Sequence, residues 1–348
     1  MEPLLSALLT ALAASALLSF PVRWLVLALG AIDRPNDRSS HVVPTPRGGG
    51  LAIVLGTLIG VICFAPVNRD VVVFLASVSV VAGVSFFDDF RSLSFGIRLA
   101  TQGCAALVLI LGLGLVVHSV ELPAFEWLPP YWVGLVLSIL FVVGYCNFFN
   151  FMDGINGIAA IQAALCASTL ALLLNGVGAT DWSILAAAVA GAAIGFLPHN
   201  FPRARMFMGD VGSVTLGFTL AVLTMVAHSR GVPWPGLLLV HGAFLFDSVF
   251  TLIKRLSRGQ NIFRPHREHV YQRLVQRGLS HTNSTLIYTG LGAVCCLAGY
   301  LYSEANTAGR WIALSLPLIL FSIVALAAHR RILENPTPHS LSTGSDVS

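Results

Sequence analysis

Runs of about twenty apolar residues recur along the whole of this 348-residue chain, and each is long enough to cross the roughly 30 Å hydrocarbon core of a bilayer. Eleven such runs are expected, at about 4–30, 48–66, 71–87, 97–117, 132–149, 157–175, 182–198, 211–228, 234–254, 284–303 and 310–328. In lipid each span must satisfy its backbone polar groups internally, so the fold class is all-α, a polytopic transmembrane helix bundle. Only 10% of the residues are charged and 56% are hydrophobic, far from the roughly 25% charged of a soluble domain. No basic tract is long enough to follow a phosphodiester backbone, which argues against a nucleic-acid partner. The first 30 residues carry no basic segment ahead of their apolar stretch, so a first span is expected rather than a cleaved signal. Residues 1–334 read as one integral membrane domain, and 335–348, rich in Pro, Ser and Thr, as a disordered cytoplasmic tail.

Basic residues set the orientation, because cytoplasmic loops retain Lys and Arg. With the N-terminus periplasmic, sixteen Lys and Arg fall in inside segments and only Arg69, Arg230 and Arg310 outside, with Arg23 in the first span. An odd number of spans puts the C-terminus in the cytoplasm. The loop 118–131 carries Pro123, Pro129 and Pro130, which disfavour helix. The six cysteines all lie in apolar runs without metal-site spacing and read as small packing residues.

Against this background the acidic and amide residues stand out. Asp88 and Asp89 close the third run in SFFDDFRS, where two like charges oppose the negative end of a helix dipole and need a cation or an Arg. Asp153 follows the fifth run in NFFNFMDGING, with Asn147, Asn150 and Asn156 at three-residue intervals; amides and a carboxylate on one face suit sugar hydroxyls, a uracil edge or metal-bound water. Asp210, in RARMFMGDVGS, reads equally as a helix N-cap and as a carboxylate with room around it. Asp247 lies inside the ninth run, where it either pairs with an Arg or takes part in chemistry. The loop KRLSRGQNIFRPHREHVYQRLVQRGLSH brings Arg264, Arg267 and His269, and DRPNDRSSHVVPTPRGGG brings His41 and Arg47; guanidinium and imidazole groups of this kind hold phosphate. All four acidic clusters fall on the inside face of a topology assigned without them. That convergence suits a Mg²⁺-assisted reaction between a phosphorylated soluble donor and a lipid acceptor. A secondary transporter would instead hold its acids near span centres, as only Asp247 does.

In these motifs, HVVPTPRGGG, FFDDF, NFFNFMDGING, MGDVGS and the His-bearing loop, taken in order over residues 30–280, the chain resembles the polyprenyl-phosphate N-acetylhexosamine-1-phosphate transferases. The resemblance implies a bacterial inner-membrane enzyme, its site facing the cytoplasm, that moves an N-acetylsugar-1-phosphate from a UDP-N-acetylsugar to undecaprenyl phosphate and releases UMP. It implies Asp210 as a Mg²⁺ ligand, with Mn²⁺ as a substitute, and Asp88 and Asp89 beside the metal and the lipid phosphate. It also implies that Asp153, Asn147 and Asn150 position the nucleotide sugar while His269, Arg264 and Arg267 hold its diphosphate, and it leaves room for a homodimer. The chain departs from the family pattern where DDxxD reads Asp88-Asp89-Phe90-Arg91-Ser92, where DGxDG has Asn156, and where Val270, Tyr271 and Gln272 follow His269. These departures look like the branch that initiates O-antigen in lipopolysaccharide synthesis. The donor sugar is not legible.

Overall fold

A computed structural model describes residues 2–35, 43–66, 68–261 and 266–329. Its helices are α1 (Glu2–Ala28), α2 (Gly50–Phe64), α3 (Arg69–Asp88), α4 (Phe95–Leu113), α5 (Tyr131–Met152), α6 (Ile158–Gly176), α7 (Thr180–Asn200), α8 (Asp210–Ser229), α9 (Trp234–Val240), α10 (Gly242–Leu256), α11 (Val270–Gln276), α12 (His281–Tyr302) and α13 (Thr307–His329). Two small antiparallel ribbons complete the described structure, β1 (Ile32–Asp33) with β2 (Thr45–Pro46) and β3 (Val120–Leu122) with β4 (Phe125–Trp127). The tail 335–348 lies outside the described residues.

Each of the eleven apolar runs is helical, and the chain is an all-α polytopic membrane bundle. Among the described residues nine helices are long and apolar enough to cross a membrane, and two runs depart from a straight span. The run 234–254 is broken at His241 into α9 and α10, bent by 87°. The run 48–66 is helical over only 15 residues, about 22 Å at the helical rise. Ala65 leaves that helix with ψ 141°, because a residue before proline, here Pro66, is driven out of the helical region. The run expected to reach 117 stops at Leu113, capped by Gly114 in the left-handed region. The proline-bearing loop forms the β3–β4 hairpin, and the basic inside loop contains a short helix, α11, that the apolar pattern did not mark.

At the centre stands α8, in which every residue from Val211 to His228 is buried. It is surrounded by α2, α3, α5 and α6. One of its hydroxyls turns back onto the helix, Thr224 donating to Leu220 O (2.8 Å), so this polar residue is buried without an unmade bond. On one side α1 lies against α7 and α2 through the stripe Ala7, Ala11, Ser15 and Ser19. Lipid tails are as apolar as leucine, so helices in a membrane associate through close approach of small residues. The periphery exposes Leu17, Trp24, Val108, Leu111, Ile312 and Leu326, as a lipid-facing surface requires.

A Cβ added at Gly191 of α7 would fall 2.0 Å from Leu8 O of α1. Gly191→Val should therefore part these two helices, with a loss of about 1–3 kcal/mol or more. Thermal unfolding in detergent checks this: a melting temperature equal to the parent's would contradict the packing described.

Candidate active site

The C-terminal end of α3 presents unbonded carbonyls and, next to them, two carboxylates. Arg47, arriving from the ribbon β1–β2, resolves the first problem: its Nε donates to Asp89 O (2.7 Å) and its Nη2 to Asp88 O (3.1 Å). The Asp89 side chain resolves a complementary problem on another helix. Its Oδ1 accepts from the Asp210 amide (2.8 Å) and its Oδ2 from the Val211 amide (3.1 Å), so α3 supplies the N-cap of α8. Gly209 makes room with φ +72°, and a Cβ there would sit 2.6 Å from both carboxylate oxygens.

The segments flanking Arg47 and Asp210 form one unit. The Phe207 amide donates to Pro46 O (2.8 Å), the Gly49 amide to Phe207 O (2.9 Å) and the Gly50 amide to Met208 O (2.7 Å). A Cβ on Gly50 would lie 2.1 Å from the Gly212 Cα, which is why each helix carries a glycine in its first turn where they touch. The PRGGG and MGDVG motifs are thus halves of a single backbone ladder, 160 residues apart in sequence. His41, from the same loop, lies outside the described residues.

Asp88 and Asp210 converge on a residue that sequence reasoning counted only as a topology charge. Arg98 Nη1 donates to Asp88 Oδ2 (3.2 Å) and stands 3.6 Å from Asp210 Oδ2. Asp88 Oδ1 also accepts from the Leu93 amide (2.5 Å). A signal was available in the sequence: Arg98 lies in the first turn of α4, just across the short loop from α3. Asp153 ends α5 at its C-cap. Burial pushes its carboxyl up to about 7, and the neighbouring Asp89 charge adds to that. Asp89 is raised to about 6, because burial outweighs the two amides and Arg47. The structure therefore gathers Asp88, Asp89, Asp153 and Asp210 into one electrostatic neighbourhood.

The amides expected along one face diverge, since each three-residue step turns a helix by about 60° from alignment. Asn147 donates to Gln102 Oε1 on α4 (2.7 Å), while Asn150 Oδ1 accepts from Ser213 Oγ on α8 (2.6 Å). Asn156 donates to Pro202 O (3.0 Å), and its own carbonyl accepts from Thr285 on α12 (2.9 Å). All three fasten the end of α5 and its loop to neighbouring elements.

Among the described residues Asp247 has no Arg partner of the kind expected for it. Fully buried, it accepts from His269 Nδ1 (3.2 Å), the amides of Val270 (2.9 Å) and Tyr271 (3.2 Å), the Tyr288 hydroxyl (2.5 Å) and Thr251 (3.0 Å). One carboxylate on α10 so orients the His269 ring and starts α11. Tyr271 continues the link by donating to Phe151 O (3.0 Å) against Gly154, where a Cβ would lie 2.1 Å from the phenol oxygen. This docks α11 beneath Asp153. Tyr288 lies in no motif, and Tyr271 was marked only as a departure from the family pattern after His269. Glu268 is surrounded by Arg255, Arg258 and Arg273; burial works to raise its carboxyl, but Arg255 and Arg273 outweigh it and hold it below its ordinary value. Burial lowers His266 to about 4, with His269 and Arg255 adding to the effect, so it is neutral near pH 7. The Arg267 carbonyl accepts from Gln276 (2.9 Å), and Arg264 lies outside the described residues.

No group of three or more His, Cys, Asp or Glu forms a ready metal cage among the described residues. An all-oxygen pair such as Asp88 and Asp210 nevertheless suits Mg²⁺, which takes one or two protein carboxylates and completes its shell with phosphate and water.

Residues 71–228, which hold all four of these acids, match the family model described as glycosyl transferase family 4. The decaprenyl-phosphate N-acetylglucosaminephosphotransferase of Mycobacterium tuberculosis is 31% identical, over 83% of this chain and 80% of the relative. Its counterpart of the same name in Mycobacterium leprae is 30% identical over 80% and 79%. The undecaprenyl-phosphate alpha-N-acetylglucosaminyl 1-phosphate transferase of Escherichia coli K12 is 25% identical over 89% and 87%.

The raised Asp153 carboxyl makes a signed prediction. Its folded value of about 7 exceeds the unfolded one, so its contribution to stability declines as pH rises from about 4 to 7. Asp153→Asn should stabilise the metal-free protein more at pH 8 than at pH 5. Melting curves in chelator at pH 5 and 8 read this out; a larger gain at pH 5 would refute the burial argument.

Proposed function

This chain belongs to glycosyl transferase family 4, and on that premise we propose that it transfers an N-acetylsugar-1-phosphate from a UDP-N-acetylsugar to undecaprenyl phosphate. UMP leaves, and an undecaprenyl-diphospho-N-acetylsugar forms as the first lipid-linked intermediate of a cell-envelope polysaccharide such as O-antigen. The names of the relatives support the lipid acceptor and the transferred group. The positive-inside bias supports a bacterial inner-membrane protein whose site opens to the cytoplasm, where nucleotide sugars are made.

The observation that carries this reading is the meeting of Asp88 and Asp210 on Arg98 at the start of a buried helix. Phosphoryl transfer asks little covalent chemistry of a protein and depends on positioning and neutralisation of charge. Asp88 and Asp210 would hold Mg²⁺, or Mn²⁺ in its place. Bound there, the ion would supply Lewis-acid polarisation of the phosphate oxygens. Arg98, part-exposed beside both carboxylates, is within reach of a phosphate as well as of its present partners. Asp89 holds the first turn of α8 in place, because both its oxygens are already taken by amides. Asp153 would position the nucleotide sugar at the end of α5, which Asn147 and Asn150 hold against α4 and α8. His269, fixed by Asp247, would offer its far ring nitrogen to the diphosphate, with Arg264 and Arg267 nearby in sequence. The lipid phosphate attacks the β-phosphorus with an oxygen already anionic near pH 7, and the bond to UMP breaks; no base is needed to create the nucleophile.

Purified protein with Mg²⁺ and undecaprenyl phosphate should release UMP from one member of a panel of UDP-N-acetylsugars, and stop when the cation is chelated. Absence of UMP from every donor, in a folded preparation, would remove the enzymatic reading. Asp210→Asn should lower turnover by roughly 10²-fold or more while the protein still inserts and melts normally. Turnover near that of the parent would remove Asp210 from metal binding.

A further inference from the structure

The break between α9 and α10 is the sharpest feature of the membrane interior, and its chemistry is not used by the site just described. A helix interrupted at membrane depth frees backbone groups that something must satisfy. Here the Val240 carbonyl accepts from two thiols, Cys166 of α6 (3.1 Å) and Cys296 of α12 (3.5 Å). The next residue, His241, is fully buried at the corner itself. Its Nε2 lies 2.6 Å from Thr224 Oγ1 on α8. Thr224 donates its proton to Leu220 O (2.8 Å), so its oxygen is left to accept and His241 carries its hydrogen on Nε2. The ring's Nδ1 is buried with no hydrogen-bond partner among the described residues. Tyr145 of α5, its ring centroid 4.3 Å from that of His241, has a buried hydroxyl close to Cys166 that makes no hydrogen bond of proper geometry.

The consequence lies further along α10. Asp247 is six residues after His241, about 9 Å along the helix, and is the carboxylate that holds His269 and starts α11. Thr224, at the other end of the His241 bond, belongs to the helix whose first turn carries Asp210. We propose that His241 is a positioning residue for the transfer reaction: its bond to Thr224 locks the angle of α10 against α8 and so sets where Asp247 presents His269 relative to Asp210. Coupling of this kind needs a rigid element shared by both ends, and the two helices α8 and α10 provide it. The proposal rests on the transferase reading for its kinetic test, but its structural test does not.

The experiment uses the full-length protein in detergent, with UDP-N-acetylglucosamine, undecaprenyl phosphate and Mg²⁺ as substrates, alongside hydrogen exchange without substrates. His241→Ala is expected to lower kcat by about tenfold with KM nearly unchanged, and Thr224→Val, which keeps the shape and removes the acceptor, to act in the same direction. His241→Gln, which retains a donor, should recover most of the rate. Joined to His269→Ala, His241→Ala should add little, since both act through one group. In exchange, amides of 269–276 should open faster in His241→Ala and Thr224→Val while α12 stays protected. If His241→Ala does not fold, Thr224→Val carries the test alone. Multiplicative losses in the double variant, or faster exchange spread evenly over α9, α10 and α12, would show a packing role and overturn the proposal. Absence of turnover in the parent with UDP-N-acetylglucosamine and with every other donor of the panel would sink the transferase reading, and the exchange pattern would still decide the role of His241.

Discussion

The capping of α8 by Asp89 is the contact on which the rest of the arrangement depends. A helix buried along its whole length cannot leave its first amides to water, and the partner for two of them comes from the end of α3. That one carboxylate brings the C-terminus of α3 to the N-terminus of α8, and with it Asp88 to Asp210. Arg47 completes the joint by covering the carbonyls that α3 leaves open. The negative end of one dipole and the positive end of another are thereby neutralised by side chains that also assemble the site.

Burying acids in this way is expensive, and the raised carboxyls of Asp89 and Asp153 record the cost. Among the described residues Arg47 and Arg98 offset part of it, serving three of the four acids. The second polar centre follows the opposite logic. Asp247 is surrounded by five donors and needs no cation, so it works as a fixed frame for His269 and α11.

How much of this was legible depended on whether the signal was local. The eleven apolar runs, the acidic pairs and the Gly-rich motifs were readable because hydropathy and turn chemistry are written in contiguous residues. The break at His241 was not, because a His–Gly step inside a mostly apolar run fixes no angle, and the 87° bend emerges only in the folded chain. Arg98 was counted as one topology charge among sixteen, since nothing in a linear sequence says which Arg returns to which Asp. Asn147, Asn150 and Asn156 kept regular spacing but took three different partners, because spacing fixes an angle around a helix and says nothing of what stands opposite.

By itself, the sequence determined that this chain lives in a membrane, that its helices follow one another in a given order, and that carboxylates and amides gather at one end of them. Those properties come from transfer free energies and short-range periodicity, which act residue by residue. Only the tertiary structure decided that Asp89 serves a backbone while Asp88 and Asp210 face a shared cation, and that Asp247 belongs to His269. Such pairings join residues that lie from ten to more than one hundred positions apart, and they are settled by which buried polar group each helix end leaves unpaired.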